Sequence, residues 1–275
     1  MEYSLIVSDF DFTLADNERK VSARTKKAIK DYQDKGGKFM LCTGRVFPSA
    51  RDEAKKLGLS GEVIAYNGAL IADIESGERF IEYFVDKKVA IDLLKEFEKM
   101  TDVVTQLYLN DVICVVKDNV YTREYCKECG LGFYETKEPL STYLEKQDTN
   151  VTEILVMSSP EKVLELYKKY LAKNSPDYTV ISSEVNFLEF ISPKANKGIA
   201  LKAYCEQKGI NPETVACFGD NYNDIFMIEY AGLGVAVENG VQELKDKADY
   251  VCPANDCDGV AVTIEKIIKG EKLNA

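Results

Sequence analysis

Histidine is absent from this 275-residue chain, and so is tryptophan. Without imidazole, the chain has no histidine general base, no histidine metal ligand and no side chain whose unperturbed pKa lies near neutral pH. Acid–base chemistry must therefore come from carboxylates, lysine, tyrosine or thiol groups.

The chain also lacks long apolar runs and has fewer basic than acidic residues. No segment approaches the roughly 18 to 20 uninterrupted apolar residues of a membrane helix, and the first residues lack the basic region and cleavage site of a signal peptide. The 35 Lys and Arg residues face 46 Asp and Glu residues, so the formal net charge is −11. Nucleic-acid-binding surfaces need clustered Lys and Arg. We therefore expect a cytoplasmic protein that binds neither membranes nor nucleic acid.

The eight cysteines give one weak indication of a metal site or of redox chemistry. Cys126 and Cys129 form a C-x-x-C pair, and Cys252 and Cys257 form a looser pair, so a four-thiolate zinc site is conceivable. A second C-x-x-C is missing, and other cysteines lie singly in apolar runs. We expect reduced cysteines with structural roles, and any role of the Cys126/Cys129 pair stays open.

Short apolar runs alternate with helical patterns at both ends of the chain. From residue 4 onward the pattern is strand, helix, strand, helix, strand, and the same alternation returns after residue 196. This order is typical of a parallel sheet with helices on its faces. We predict an α/β fold with a Rossmann-like, doubly wound parallel sheet as its core.

The middle of the chain has a different pattern, in which hairpins are mixed with helices. The runs VVTQLYL and VICVV are joined by Asn110 and Asp111, a pair that favours a β-hairpin. Such a mixture is typical of an α+β domain. We predict a catalytic core made of residues 1–83 and 193–275, with an α+β cap domain, residues 84–192, inserted into it.

Polar residues follow three of the predicted strands, in the segments SDFDFT, CTGR and FGDNYND. Ligands of open α/β sheets bind at the carboxyl ends of the strands. Thr43 ends one of these strands, and Lys197 begins the helix upstream of another. The segments that follow these strands also place four carboxylates at the carboxyl edge of the predicted sheet: Asp9, Asp11, Asp220 and Asp224.

Four converging carboxylates repel one another unless a cation neutralises them. With oxygen ligands and no histidine, Mg²⁺ is the expected cation, and it commonly binds one or two carboxylates together with a substrate phosphate. The Thr43 hydroxyl, backbone N–H groups and the Lys197 ammonium are complementary to that phosphate.

Each motif also has an ordinary structural explanation. A D-x-D sequence after a strand often caps a helix or forms a turn, and GDNYND can be a turn that leads into a helix. The joint occurrence of the motifs, each after a strand, favours a functional site.

Together, these motifs resemble those of the haloacid dehalogenase-like phosphatases, and among them the Cof-type sugar-phosphate phosphatases that carry a large α+β cap. The family motif D-x-D-x-T matches Asp9 to Thr13, and the Thr or Ser that ends the next strand matches Thr43. The motif lysine matches Lys197, and G-D-x-x-N-D matches Gly219 to Asp224. The resemblance covers nearly the whole chain, including the cap insertion.

The resemblance implies a Mg²⁺-dependent phosphomonoesterase that hydrolyses a small phosphorylated metabolite, a sugar phosphate or a related compound. Asp9 would attack phosphorus to form an aspartyl-phosphate, and Asp11 would protonate the leaving oxygen and then activate water. The implied metal ligands are Asp9, the backbone carbonyl of Asp11 and Asp220, with Asp224 nearby or acting through water. The implied phosphate-binding residues are Thr43, Gly44, Lys197 and Asn223, and the candidate contacts to substrate or cap are Phe12, Arg45 and Asn67.

Phe12 departs from the D-x-D-G-T pattern that is frequent in relatives with this cap. A bulky residue that had to adopt a positive φ would be strained by about 1 to 2 kcal/mol. We expect an ordinary backbone conformation at Phe12, with strain as the alternative, and a ring that leans towards the cap and narrows the leaving-group pocket.

Three other functions could use the same residues. A phosphotransferase or mutase would pass the phosphoryl group to another hydroxyl. A response-regulator receiver also gathers acidic residues, a threonine and a lysine at a parallel sheet edge, but it is shorter and has no inserted domain. A non-catalytic phosphate-binding regulator would keep the fold without turnover. The sequence leaves open which metabolite is bound, which cap residues select it, and the oligomeric state.

Overall fold

The computed structural model describes residues 2–273, and the chain forms two compact units. The first unit comprises the chain up to Gly44, the segment Ala50–Ile81 and the chain from Asn196 onward. The second unit comprises Glu82–Ala195 together with the short segment Arg45–Ser49. Within the described range, no helix combines the length and the apolar character that a membrane crossing requires.

The strands and helices follow in chain order. The strands are β1 Leu5–Ser8, β2 Lys38–Leu41, β3 Glu62–Ala65, β4 Leu70–Asp73, β5 Arg79–Glu82, β6 Val104–Leu109, β7 Val112–Val115, β8 Phe133–Glu135, β9 Glu153–Met157, β10 Thr179–Ile181, β11 Phe187–Ile191, β12 Val215–Gly219, β13 Leu233–Val237 and β14 Tyr250–Cys252. The helices are α1 Ala23–Asp34, α2 Phe47–Lys56, α3 Lys87–Phe97, α4 Val120–Cys129, α5 Leu140–Glu145, α6 Pro160–Lys173, α7 Lys197–Lys208, α8 Ile225–Tyr230, α9 Gln242–Lys247 and α10 Gly259–Lys269.

The main sheet of the first unit has five strands in the order β14-β13-β12-β1-β2, and every neighbouring pair is parallel. All residues of β1, β12 and β13 are buried, as expected for strands that helices cover on both faces. This sheet confirms the predicted α/β fold. Since β1 and β12 are neighbours, the residues that follow each of them meet at one edge of the sheet.

The third strand differs from the simple parallel pattern. β3 pairs antiparallel with β4 in a separate three-stranded sheet, and it meets the end of β2 through a single parallel bridge between Cys42 and Ile64. Tyr66 and Asn67, directly after β3, have positive φ values of 50° and 53°. These two residues turn the chain back along β3, which ends the parallel alternation at this point.

The second unit is built on a six-stranded sheet in the order β10-β11-β9-β6-β7-β8. Its strands pair antiparallel except β7 and β8. The predicted hairpin is confirmed: β6 and β7 are joined by Asn110 and Asp111, which have positive φ values of 49° and 65°. One apolar cluster fills the space between this sheet and its helices, with members such as Leu94, Leu166 and Phe190.

The start of β3 carries a buried carboxylate that joins three elements of the first unit. The Glu62 side chain is 7% exposed, and its oxygens lie 2.7 Å from Lys38 Nζ and 2.6 Å from Lys208 Nζ. The Tyr204 hydroxyl donates a third bond, at 3.0 Å. Burial by itself raises the pKa of Glu62, but the bonds from Lys208, Lys38 and Tyr204 outweigh it and lower that pKa from 4.5 to about 2.

We expect Glu62→Gln to lower the free energy of unfolding at pH 7 by on the order of 2 kcal/mol, a value reduced for the partly exposed lysines. Because the folded-state pKa lies below the unfolded value, this contribution is present above pH 4.5 and is lost as the pH falls towards 2. Urea denaturation of both proteins over this pH range measures the difference, with the exposed Glu206→Gln as control. A difference that stays constant down to pH 3 would contradict the assignment.

Candidate active site

Three carboxylates meet at the carboxyl edge of the main sheet. Asp9 follows β1, Asp220 follows β12, and Asp224 lies in the turn after Asp220. One carboxylate oxygen of each lies within 4.8 Å of the others. The parallel pairing of β1 with β12 brings these sequence-distant residues together.

Lys197 lies between two members of this cluster, Asp9 and Asp224. Its side chain is 1% exposed, and Nζ donates to Asp9 Oδ1 and to Asp224 Oδ1, each at 2.7 Å. The side chain of Asn196 accepts hydrogen bonds from the backbone N–H groups of Gly198 and Ile199, and this N-cap begins α7 with Lys197 in its first turn. Burial works to lower the pKa of Lys197, but Asp224 and Asp9 outweigh it and raise that pKa. Lys197 is therefore a buried cation.

The cluster contains three carboxyl groups and one ammonium group, and its surroundings disfavour ionisation of the carboxyl groups. Burial raises the pKa of Asp9 well above its usual value, and nearby Asp224 and Asp220 add to this effect while Lys197 opposes it. Burial and Asp224 likewise raise the pKa of Asp220 to about 7. One ammonium group thus only partly compensates three carboxylates. The donor set consists of oxygen atoms alone and fits a divalent cation.

Asp224 has protein partners on both oxygens. Oδ1 accepts from Lys197, and Oδ2 accepts from the backbone N–H groups of Asp220 and Asn221, at 3.0 and 3.1 Å. A Cβ atom at Gly219 would lie 2.5 Å from the Asp224 Cβ, so this close approach requires glycine. Asp224 therefore holds the turn after β12 and the Lys197 ammonium in place.

Asp11 is separate from the three-carboxylate cluster, although the sequence suggested four converging carboxylates. Its Oδ1 accepts a hydrogen bond from Arg19 Nη1 at 3.1 Å. The threonine of the same motif faces the cluster, since Thr13 Oγ1 donates to Asp220 Oδ1 at 2.7 Å. The D-x-D-x-T segment thus connects to the cluster through Asp9 and Thr13.

Phe12 adopts a left-handed conformation, with φ 59° and ψ 4°, so the expectation of an ordinary backbone was wrong. Asp11 is extended, and Ala15 donates its N–H to Phe10 O at 2.9 Å, so the chain must reverse at Phe12 to close this turn. A non-glycine residue in this conformation costs about 1 to 2 kcal/mol. The Arg19 guanidinium lies 5.9 Å from the centre of the Phe12 ring. The predicted lean of the ring towards the cap stays a prediction.

Three of the four residues expected to bind phosphate, all except Lys197, are connected through Asn67. Its Oδ1 accepts from Asn223 Nδ2 at 2.8 Å, and its backbone N–H donates to Thr43 O at 3.1 Å. A Cβ atom at Gly44 would lie 3.0 Å from Asn67 Nδ2. Asn223 Oδ1 is buried and has no hydrogen-bond partner. The structure therefore brings Thr43, Gly44 and Asn223 together around a buried asparagine.

Arg45 begins the short segment that groups with the second unit, and its Nη1 lies 3.4 Å from Ser49 Oγ. Sequence reasoning missed two residues that contact the D-x-D segment, Arg19 and Asn239. Asn239 follows the carboxyl end of β13, so the rule that located the other motifs could have found it. No sequence motif predicts that Arg19 contacts Asp11, because a loop brings the two residues together.

All eight cysteines have free thiols, and Cys126 and Cys129 are buried in α4. Within residues 2–273, the aspartates Asp9, Asp220 and Asp224 form a group that could hold a metal ion, and the cysteines form no such group.

The chain is similar to known phosphatases over nearly its full length. A family model described as haloacid dehalogenase-like hydrolase matches residues 6–264. A phosphoglycolate phosphatase of Methanobrevibacter smithii is 29% identical, with 98% of this chain and 100% of the relative covered. A 5-amino-6-(5-phospho-D-ribitylamino)uracil phosphatase of Bacillus subtilis is 30% identical, with 96% of this chain and 95% of the relative covered. A solved haloacid dehalogenase-like hydrolase from Bacteroides thetaiotaomicron superposes with a TM-score of 0.85 at 28% identity, with 96% of this chain and 99% of the other covered.

Proposed function

Given that the chain belongs to the haloacid dehalogenase-like hydrolases and is one of their phosphatases, we propose that it is a Mg²⁺-dependent phosphomonoesterase that acts through an aspartyl-phosphate. The supporting observation is the buried Lys197 between Asp9 and Asp224, beside Asp220. A fold alone needs no such concentration of buried charge, whereas transfer of an anionic phosphoryl group between oxygen atoms does.

Asp9 is the proposed nucleophile. Lys197 holds Oδ1 at 2.7 Å, which orients the carboxylate so that the other oxygen, Oδ2, can attack phosphorus. An O–P bond forms to Asp9 while the ester P–O bond breaks, and Asp11 donates its proton to the leaving oxygen. Asp11 then takes a proton from the water that hydrolyses the acyl phosphate, and this restores both carboxyl groups.

Thr43, Gly44, Lys197 and Asn223 are the proposed phosphate-binding residues. Asn223 can take this role through Nδ2, which has two N–H groups and donates one of them to Asn67 Oδ1, so that the other can donate to a phosphoryl oxygen. The Asn67 bonds keep the Thr43–Gly44 segment close to Asn223, so their donors can converge on one phosphoryl group. Phe12 and Arg45 remain proposed contacts to the substrate or the cap.

Asp9, Asp220 and the Asp11 backbone carbonyl would hold the Mg²⁺. Asp224 would act through water, because both of its oxygens already have protein partners. When bound, the cation neutralises charge on the nucleophile and on the phosphoryl oxygens, which lowers the barrier to attack of one anion on another.

We also propose that residues 84–192 form a cap that selects a sugar phosphate or a related metabolite. The two curated relatives described above are named for chemically different phosphate esters, yet their identity to this chain is nearly equal. The shared motifs thus do not determine which leaving group the protein accepts. The residues that contact the leaving group must lie elsewhere in the chain.

We expect the purified protein to release inorganic phosphate from p-nitrophenyl phosphate, to lose this activity in EDTA and to regain it with Mg²⁺. The three clustered carboxylates are the physical reason, because they need a cation before they can accept a phosphate dianion. A Mg²⁺-dependent rise in Tm gives a readout that does not depend on turnover.

The same assay separates the other functions, and a panel of phosphorylated metabolites compared by kcat/KM then identifies the substrate class. Phosphate transfer that requires an added alcohol acceptor would indicate a phosphotransferase or mutase. Mg²⁺ binding without turnover on any ester would indicate a regulator. Full activity in EDTA would reject the role of the cation.

A further inference from the structure

The turn after β13 contacts both segments that carry the clustered aspartates. Asn239 Nδ2 donates to Phe12 O at 2.8 Å, and Val241 donates its backbone N–H to Asp220 O at 2.8 Å. Gly240 lies between them, and a Cβ atom there would come within 3.0 Å of Asp220 O. One short turn thus bonds to the segment after Asp9 and to the backbone of Asp220.

The orientation of the Asn239 amide follows from its partners. Its Oδ1 accepts from the backbone N–H of Asn255 at 2.9 Å, and a backbone N–H can only donate. Nδ2 must therefore face the Phe12 carbonyl, which can only accept. Asn255 in turn donates Nδ2 to Ala15 O at 3.0 Å and to Asn17 Oδ1 at 3.2 Å. The two asparagines thus bond the D-x-D segment at both sides of its turn, at Phe12 and at Ala15.

The strained residue of this segment is the one that Asn239 holds. Phe12 is left-handed at φ 59°, and its two neighbours on the amino side, Asp11 and Phe10, belong to the same five-residue turn. Loss of the bond to Phe12 O would let the chain at Phe12 relax towards an extended conformation, which would rotate Asp11 relative to Thr13, and so relative to Asp220, to which Thr13 donates. Small displacements of reacting groups are costly in rate.

We propose that Asn239 is a positioning residue, which holds the left-handed turn at Phe12 so that Asp11 keeps its position relative to Thr13 and Asp220, with Asn255 fixing the Asn239 amide. The inference rests on the proposed function, because it assigns the two aspartates their roles. It adds a residue outside the four motifs and explains how phenylalanine is accommodated where glycine is frequent.

The sharpest variant is Asn239→Asp, which keeps the shape and the acceptor for the Asn255 N–H but places an oxygen against the Phe12 carbonyl. We expect kcat on p-nitrophenyl phosphate to fall by about 10- to 100-fold, the usual range for groups that orient a reacting side chain, with a much smaller change in KM. The matched control is Asn211→Ala. Asn211 caps the turn before β12, at the opposite edge of the sheet, so its kcat should match the unmodified protein.

A double-mutant cycle with Phe12→Gly separates positioning from mere stabilisation. Glycine adopts the left-handed conformation without strain, so Asn239→Ala should cost about tenfold in kcat beside Phe12 and clearly less in the Phe12→Gly background. Tm is measured for all four proteins. An equal loss of kcat in both backgrounds, or a lower Tm with unchanged kcat, would overturn the proposal. An unmodified protein that hydrolyses no phosphate ester would instead overturn the proposed function, and this inference with it.

Discussion

Asp9→Asn should reduce hydrolysis of p-nitrophenyl phosphate by on the order of 10³-fold or more, the scale of losses seen when a covalent nucleophile is removed. The amide oxygen of asparagine can still accept the hydrogen bond from Lys197, so the local packing is kept. It cannot form an acyl phosphate of comparable reactivity, because the amide carries no negative charge on its oxygen. The loss should therefore fall on kcat rather than on folding.

The measurement is steady-state phosphate release, accompanied by Tm and by acid-stable retention of phosphate on denatured protein. Asp31→Asn is the matched control, since Asp31 lies in α1 with its side chain 44% exposed and pairs with Lys27. Turnover of Asp9→Asn at the rate of the unmodified protein would reject the covalent mechanism. A low rate with a large loss of Tm would point to unfolding instead.

Lys197→Met should have the largest combined effect on stability and activity. The substitution keeps most of the side-chain length but leaves Asp9 and Asp224 buried without their shared cation. Removal of one partner from a buried ion pair usually costs about 3 to 5 kcal/mol. The proposed phosphate-binding site also loses a positive charge at the phosphoryl group, so we expect kcat to fall on the order of 10²- to 10³-fold.

A second variant separates these two losses. Adding Asp224→Asn removes one of the uncompensated carboxylates, so Lys197→Met/Asp224→Asn should recover part of the lost free energy of unfolding but none of the lost kcat. Urea denaturation and phosphate release measure the two quantities. The exposed Lys202→Met, on the same helix, is the control. Full activity of Lys197→Met would refute the phosphate-binding role of this lysine.

Several features of the fold follow from local sequence patterns. The alternation of apolar runs and helical segments predicted the parallel sheet, because strands covered on both faces must be apolar throughout. Asn110 and Asp111 predicted their hairpin, because these residue types accept positive φ. The family resemblance drawn from the motifs is confirmed by the family model that matches residues 6–264.

Other features depend on contacts between distant parts of the chain. β3 lies in a separate sheet because Tyr66 and Asn67, two residues with positive φ, turn the chain back after it. The hydrogen-bond partners of Asn67 lie elsewhere in the chain, so the local alternation of apolar and helical segments does not predict this turn. From the sequence, Glu62 would be expected to be an exposed charged residue, yet it is buried between Lys38 and Lys208. Side-chain partners of this kind are selected by packing, which a local pattern does not encode.

The candidate site divides in the same way. The positions of the motifs along the chain predicted that Asp9, Asp220 and Asp224 would meet, because strand ends of a parallel sheet share one edge. Three further features are visible only in the folded chain: Asp11 bonds to Arg19, Phe12 is left-handed, and Asn239 holds it there. These last three features depend on loops whose conformation is set by long-range hydrogen bonds. Residue type and chain order therefore predict the chemistry of the site. Its geometry arises only when the loops pack together.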